Sequence, residues 1–277
     1  MTLNPKEMVD SYINGAVKKT QTPCVKLLIK AIFAGMMIAL GAAGSQVASH
    51  TMSGVGLARL AAGAVFPMGL MMVVLTGSEL FTGDCLMGMA VVRKEIKCRE
   101  MLRVLSIAYL GNLIGALIIV CLVSFSGQLN YSEGMLAAYT IKTAVAKNSL
   151  SFAAAFTSGI LCNILVCAAV IMSAASDNVT SKLLSCFFII LLFVVSGYEH
   201  CVANMFYIPM GIVAQCNSVY AELAMSAYGM SAEQLSALNV GNMFLKNLLP
   251  VTLGNVLGGM FVLGIPFAIA VSDKKSK

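Results

Sequence analysis

Six long apolar runs restrict what this chain can fold into. They cover roughly residues 31–49, 60–92, 104–126, 151–175, 182–216 and 245–271. A helix that crosses a bilayer needs about 20 predominantly apolar residues, so each run can span a membrane. Composition agrees, since 59% of the residues are hydrophobic, 11% are charged and the mean hydropathy is +0.88. The sequence therefore predicts an all-α, multi-pass membrane protein whose first partner is the lipid bilayer.

Basic residues are distributed unevenly among the loops, and cytoplasmic loops are enriched in Lys and Arg. One side carries Lys6, Lys18, Lys19, Lys26, Lys30, Arg93, Lys94, Lys97, Arg99, Arg103, Lys182, Lys274, Lys275 and Lys277. The other side carries only Arg59, Lys142, Lys147 and Lys246. This asymmetry predicts a protein of the cytoplasmic membrane with both termini in the cytoplasm. The formal net charge of +6 then follows from topology and calls for no nucleic-acid partner.

The ends of the chain have a different character. Residues 1–25 lack the apolar core of a cleavable signal peptide, and Asn4, Pro5 and Glu7 form a helix-start pattern. We expect a cytoplasmic amphipathic helix there. Residues 26–272 are expected to form the six-span domain, and residues 273–277 a solvated cytoplasmic tail. Residues 127–150 are expected to be an outer loop, and residues 217–244 a polar connection with a short helix.

The second and fifth runs are too long for one straight helix. Each has roughly 34 residues, about 50 Å as a helix, against a ~30 Å hydrocarbon core. Gly77 and Gly197 lie inside them, and each is followed two residues later by a carboxylate. Glycine adopts backbone angles closed to other residues, and polar neighbours can satisfy freed backbone groups. We predict a break at each glycine, supported by Glu79, Glu199 and Asn204.

Polar side chains at membrane depth indicate a functional site. A charged group at a helix centre costs ~2.5–3.5 kcal/mol on insertion scales, so it is kept where it faces a cavity, a partner or a substrate. His200 follows Glu199 at the second break. A lone histidine in a helical bundle is usually a structural hydrogen-bonding group. Its position in a duplicated break favours a pore instead.

The halves of the chain repeat one another. Gly111-Asn112-Leu113-Ile114-Gly115 in the third run parallels Gly254-Asn255-Val256-Leu257-Gly258 in the sixth. Lys30 and Gly35 in the first run are paired with Lys147 and Gly159 at the fourth. Three spans followed by three similar spans must be related by inversion across the membrane. The halves are predicted at about 26–127 and 145–272, with the two breaks meeting near the centre.

Cysteine and methionine carry no metal signal. The nine cysteines are scattered without Cys-x-x-Cys pairing, and the 19 methionines form no repeated cluster. Both are typical of apolar packing in a helical bundle. We expect no metal and no cofactor.

The two broken motifs resemble the signatures of the formate/nitrite transporter family. They read Gly77-Ser78-Glu79-Leu80-Phe81-Thr82 and Gly197-Tyr198-Glu199-His200-Cys201-Val202-Ala203-Asn204-Met205. The resemblance covers essentially the whole chain and is strongest to the hydrosulfide ion channel branch. It implies an aquaporin-like protomer of six helices, and a homopentamer in which each protomer has its own pore.

The resemblance also implies roles for individual residues. The pore centre would be formed by His200, Thr82 and Asn163. Apolar constrictions would flank it, made by Leu70 and Leu80 toward the cytoplasm and by Phe81, Val166 and Phe193 toward the outside. Lys147 would supply positive potential at the outer mouth. Without the resemblance, Phe81 and Phe193 would be interpreted as packing or lipid-facing residues, and Lys147 as an interfacial anchor.

These roles predict a channel for small monovalent anions. An anion at an apolar constriction needs fixed donors or a proton, and His200 could supply either. Hydrosulfide is the expected substrate, because the small residues Gly83, Cys201 and Ala203 would give a soft surrounding; a formate or nitrite channel, or a proton-linked carrier of these anions, is the alternative. A neutral-solute channel of the aquaporin kind would carry Asn-Pro-Ala at each break, and neither break has it. An intramembrane enzyme would need catalytic motifs that are missing, so we expect no enzyme.

Overall fold

A computed structural model describes residues 2–272, and this part of the chain is helical. We number its helices α1 (Pro5–Gln21), α2 (Cys24–Ser49), α3 (Val55–Thr76), α4 (Phe81–Val92), α5 (Cys98–Phe125), α6 (Met135–Asn148), α7 (Phe152–Ser173), α8 (Val179–Ser196), α9 (Cys201–Gln215), α10 (Ser218–Tyr228), α11 (Ala232–Ala237) and α12 (Val240–Ala270). The predicted tail, residues 273–277, lies outside the described residues.

Within residues 2–272, six helices are long and apolar enough to cross a membrane: α2, α3, α5, α7, α8 and α12. The shorter apolar helices α4 and α9 follow α3 and α8 and complete the second and fifth spans. The prediction of an all-α protein with six spans is confirmed.

Both predicted breaks occur where the glycines stand. Gly77 ends α3 with φ 63°, and Gly197 ends α8 with φ 73°, a left-handed conformation that favours glycine. The backbone then runs extended through Leu80 and His200 before α4 and α9 begin. Each long span therefore consists of two half-helices joined by four non-helical residues, 77–80 and 197–200, which we call the extended segments.

Two buried asparagines hold these extended segments in the same way. In the first half, Asn112 Oδ1 accepts the Phe81 N–H at 2.9 Å, and Asn112 Nδ2 donates to the Glu79 carbonyl at 2.9 Å. In the second half, Asn255 Oδ1 accepts the N–H of Cys201 at 2.9 Å, and its Nδ2 donates to the Glu199 carbonyl at 3.0 Å. The repeated bonds fit the predicted inverted repeat.

Close helix packing brings each asparagine to its break. A Cβ on Gly115 would overlap the Ile32 carbonyl of α2, and a Cβ on Gly258 would overlap the Ile160 carbonyl of α7. Only glycine allows α5 to approach α2, and α12 to approach α7, this closely. The paired Gly-x-x-x-Gly motifs therefore set the position of the asparagine between them.

The N-terminal helix α1 packs against the bundle. Asn4 and Glu7 form the predicted capping box, and Val9, Ile13 and Ala16 are buried on one face. Tyr12 donates its hydroxyl hydrogen bond to the Gly83 carbonyl at 2.8 Å. Helix α1 is therefore attached directly to the first turn of the half-helix α4.

Two segments contain more structure than the sequence predicted. Residues 127–150 were expected to be an outer loop, but they contain the 14-residue helix α6. Its buried face includes Leu136, Ile141 and Ala144, and it precedes α7 as α1 precedes α2. The segment 217–244 contains α10 and α11, and α12 already begins at Val240; Ser231 and Gln234 form the expected capping box.

Candidate functional site

Three spaces lie in series between the broken helices. The inner cavity has a volume of about 410 Å³, is bordered by α1, and ends at Leu70 and Leu80. The outer cavity, about 150 Å³, ends at Phe66, Phe193 and His200. Between them is a chamber with about 10 Å³ of room for the centre of a water-sized sphere. The chamber is therefore the smallest of the three spaces, and without opening it admits only a very small solute.

Two apolar pairs separate the chamber from the cavities. Leu70 and Leu80 line both the inner cavity and the chamber, and they are 2% and 4% exposed. Phe66 and Phe193 line both the chamber and the outer cavity, with ring centroids 5.7 Å apart in an edge-to-face arrangement. Val166, which the sequence also suggested, lies on the chamber wall. The chamber is thus closed on both sides by apolar side chains.

Phe81 does not take the position expected for it at the outer constriction. Its ring packs edge-to-face on Tyr109, with centroids 4.9 Å apart, and lines an apolar groove between α5 and α12. The preceding residue, Leu80, lines the chamber, and the two side chains leave the extended segment toward different spaces. Phe66 of α3 forms the outer pair instead. Nothing in the sequence distinguished Phe66 from an ordinary packing residue.

His200 lies on the wall of the chamber and is 3% exposed. Its Nδ1 accepts the backbone N–H of Ala203 at 3.0 Å, so His200 is the N-cap residue of α9. Its Nε2 lies 2.9 Å from the hydroxyl of Thr82. An acceptor nitrogen carries no hydrogen, so the proton of a neutral imidazole is on Nε2, next to Thr82.

Thr82 is held from the opposite side. Its carbonyl accepts hydrogen bonds from Asn163 Nδ2 at 3.2 Å and from the Cys167 thiol at 3.3 Å. Asn163 also donates to the Asn255 carbonyl at 2.7 Å and is fully buried. The resemblance placed Asn163 along the path, but in the structure it lines neither the chamber nor the two cavities. It connects the Thr82 backbone to α12 instead.

A charged network lies beside the outer cavity. Lys147 of α6 forms an ion pair with Glu199 at 2.8 Å, and Asn204 donates to the other Glu199 oxygen at 2.6 Å. Asn247 accepts from Asn204 at 2.7 Å and donates to the Lys147 carbonyl at 2.8 Å. The side chain of Glu199 therefore holds Lys147 in place, while Asn255 supports the break itself.

The inner cavity has a corresponding network. Lys19 of α1 lies 2.7 Å from Glu79 and 2.5 Å from Asp84, and Lys30 lies 3.3 Å from Glu79. The counterpart of Lys147 is thus Lys19, on the helix that precedes the first span, and the sequence-based pairing with Lys30 was wrong. Burial acts to lower the pKa of Lys19, but Asp84 and Glu79 outweigh burial and hold that pKa well above its usual value. Lys19 stays protonated.

The small residues expected along the path are distributed differently. Gly83 lines the inner cavity and Ala203 the outer cavity. Cys201 is fully buried at the start of α9 and lines neither cavity nor the chamber. Because Cys201 does not line the path, its thiol is no argument for a sulfur anion as the substrate.

Comparison with known proteins gives one consistent result. Residues 6–269 match the family model described as formate/nitrite transporter. The chain is 38% identical over 267 residues to the formate channel FocA of Haemophilus influenzae, covering 96% of this chain and 93% of that protein. It is 35% identical over 256 residues to formate channel FocA of Escherichia coli K12, covering 91% and 88%.

Solved structures agree with these sequence matches. A pentameric formate channel with formate bound superposes with a TM-score of 0.78 at 32% identity, covering 89% of this chain and 97% of that chain. An ion channel of the same family superposes with a TM-score of 0.80 at 27% identity, covering 96% and 99%. The aquaglyceroporin of Plasmodium falciparum reaches a TM-score of 0.50 at 13% identity, over 90% and 100% of the chains, and shares the fold alone.

Proposed function

Because the chain belongs to the formate/nitrite transporter family, whose members are channels for small anions, we propose that it conducts formate across the membrane. The observation that carries this proposal is the chamber beside His200, closed by Leu70 and Leu80 on one side and by Phe66 and Phe193 on the other. Formate, with three heavy atoms, is the smallest carboxylate and would have to open the two constrictions less than any larger carboxylate would.

The proposed path begins and ends at a lysine. Lys147 at the outer cavity and Lys19 at the inner cavity are each paired with carboxylates, Glu199 and Glu79, and are therefore fixed in place. A fixed ammonium group at each mouth can donate hydrogen bonds to an arriving anion. An anion then loses water at an apolar pair and needs a donor in the chamber, because a bare charge in such surroundings is very costly.

We assign the donor role to neutral His200. Protonating Nδ1 would replace the hydrogen bond from Ala203 by two facing N–H groups, and would add positive charge at the N-terminus of α9, which is already positive. The Nε2–H of the neutral ring donates to Thr82 in the structure, and in the proposed mechanism it donates to the anion instead while the anion is in the chamber. His200 thus neither gives up its proton nor becomes an imidazolium.

Formate is favoured over the hydrosulfide that the sequence suggested. The relatives in Haemophilus influenzae and Escherichia coli are named formate channels, and Cys201 lies away from the path. Hydrosulfide and nitrite remain alternatives with the same charge and a similar size. Transport, and no enzymatic reaction, is the activity that this site supports.

The assembly and its orientation are also part of the proposal. The 32% identity to a pentameric formate channel supports a homopentamer with one pore in each protomer. The excess of Lys and Arg near α1 supports a cytoplasmic location for both termini and for the inner cavity. We place the protein in the cytoplasmic membrane on the same ground.

Uptake into proteoliposomes tests this function. Purified protein is compared with protein-free liposomes for uptake of formate, hydrosulfide, nitrite, chloride and glycerol. We expect formate to enter fastest and glycerol not to enter above background. If hydrosulfide entered faster than formate, hydrosulfide would be the assigned substrate. Uptake of glycerol alone would overturn the anion assignment.

A further inference from the structure

The inner cavity carries more positive charge than passage of a monovalent anion requires. Of the lysines in residues 2–272, four line it, coming from three helices: Lys18 and Lys19 from α1, Lys30 from α2 and Lys182 from α8. Two carboxylates, Glu79 and Asp84, line the same cavity. With every lysine charged, the cavity has a surplus of two positive charges.

The surplus is located on two lysines. Lys19 is bound by both carboxylates and Lys30 by Glu79. Within residues 2–272, neither Lys18 nor Lys182 forms an ion pair, although both border the cavity. Two lysines on separate helices, Lys18 exposed and Lys182 half-buried, thus line one open cavity.

The outer cavity provides the contrast. It has about 150 Å³ against about 410 Å³, and the one lysine of the described chain that lines it, Lys147, is paired with Glu199. The charged side chain that lines the outer cavity is therefore paired, which suits brief passage of a monovalent ion. The inner cavity has both the room and the unpaired charge for a larger anion with at least two charges.

We propose that the inner cavity binds a small polyvalent oxyanion, held between Lys18 and Lys182, which blocks the channel from the side that carries α1. Such an anion is too large for the chamber, which has about 10 Å³. To enter it, the anion would have to lose its charge before passing the apolar pair Leu70 and Leu80. It therefore binds without passing. The blocking effect rests on the proposed anion channel, whereas the binding itself does not.

Inorganic pyrophosphate is a suitable probe, measured in two ways. Formate flux through proteoliposomes is recorded with pyrophosphate on both sides, and binding of radiolabelled pyrophosphate to purified protein is measured by equilibrium dialysis. The test variant is Lys18→Gln with Lys182→Gln. The control is Lys26→Gln with Lys97→Gln, which removes two exposed lysines that do not line the cavity.

We expect pyrophosphate to inhibit formate flux, and chloride at equal ionic strength not to do so. In the test variant, the inhibition and dissociation constants should rise at least about tenfold, equal to ~1.4 kcal/mol, while the control keeps the original values. Added salt should weaken binding, since it screens these partly exposed charges. Equal constants in the test and control variants, or no pyrophosphate binding, would overturn the inference. Absence of formate flux with pyrophosphate still bound would contradict the proposed function alone.

Discussion

The hydrogen bond from the Ala203 N–H to Nδ1 distinguishes His200 from a freely titrating histidine. This bond lets the ring cap α9, and in the proposed mechanism the Nε2–H is the donor to the anion. An asparagine can perform both, because it is a preferred N-cap residue and its amide supplies N–H donors. A leucine can perform neither, and leucine is the residue at the equivalent position of the first break, Leu80.

We predict that formate flux through His200→Asn responds to pH in the same way as flux through the unchanged protein, and that His200→Leu loses at least about tenfold in flux. The loss follows because an unsatisfied polar group costs about 1–3 kcal/mol. Formate flux at two pH values measures both variants. Loss of pH dependence in His200→Asn would contradict the neutral-donor account and favour proton transfer by His200.

The ion pair at the outer cavity makes a prediction about stability. Lys147→Gln leaves the buried carboxylate of Glu199 without its cation, and breaking a buried pair costs about 3–5 kcal/mol. Thermal unfolding of the purified protein should show a large loss. The double variant Lys147→Gln/Glu199→Gln should recover most of it, because no unpaired charge remains.

Lys142→Gln is the matched control for this pair. Lys142 lies on the same helix, and its ammonium group is 4.4 Å from the centroid of the Tyr228 ring. Cation–π contacts of this kind contribute only about 0.5–1 kcal/mol at exposed sites. A double variant no more stable than Lys147→Gln would show that the charge of Glu199 is not what makes the single change costly.

Among the helices, the breaks depend on equivalent asparagines. Asn112→Ala and Asn255→Ala each remove the acceptor of a buried N–H and the donor to a buried carbonyl. Each should lower the free energy of unfolding by about 1–3 kcal/mol, and the two losses should be similar. Asn14→Ala, at an exposed position of α1, should have little effect. A loss confined to one half of the protein would contradict equal support of the two breaks.

Local signals made the breaks and the spans predictable. Excess length, a glycine and a following carboxylate occur within a few residues of one another at Gly77 and at Gly197. The capping boxes at Asn4 and Ser231 were predictable for the same reason. Such features depend on neighbours along the chain, which a single sequence displays.

Contacts between distant segments were not predictable. Lys19 meets Glu79 and Asp84 only because α1 packs across the inner cavity, so the sequence favoured Lys30 instead. Helix α6 was missed because its buried face is short and interrupted by polar residues. Phe81 was predicted at the outer constriction, where the structure has Phe66, for the same reason. The direction of a side chain at the start of a half-helix depends on how the whole bundle packs.

At the scale of the whole molecule, a mass measurement tests the proposed homopentamer. Native mass spectrometry of the protein in lipid nanodiscs should give about five times the protomer mass of 29.1 kDa. A pentamer is expected because the chain covers 97% of a pentameric formate channel at 32% identity. A monomer that still conducts formate would contradict the proposed pentamer and show that one protomer is sufficient for conduction.

The central claim is that ions pass through the chamber beside His200, and filling that chamber tests it most directly. Val166 lies on the chamber wall, whereas Leu161 of the same helix is 45% exposed. We predict that Val166→Phe abolishes formate uptake while the folded protein still reconstitutes, and that Leu161→Phe conducts normally. Normal uptake by Val166→Phe, measured at equal protein content, would contradict the account.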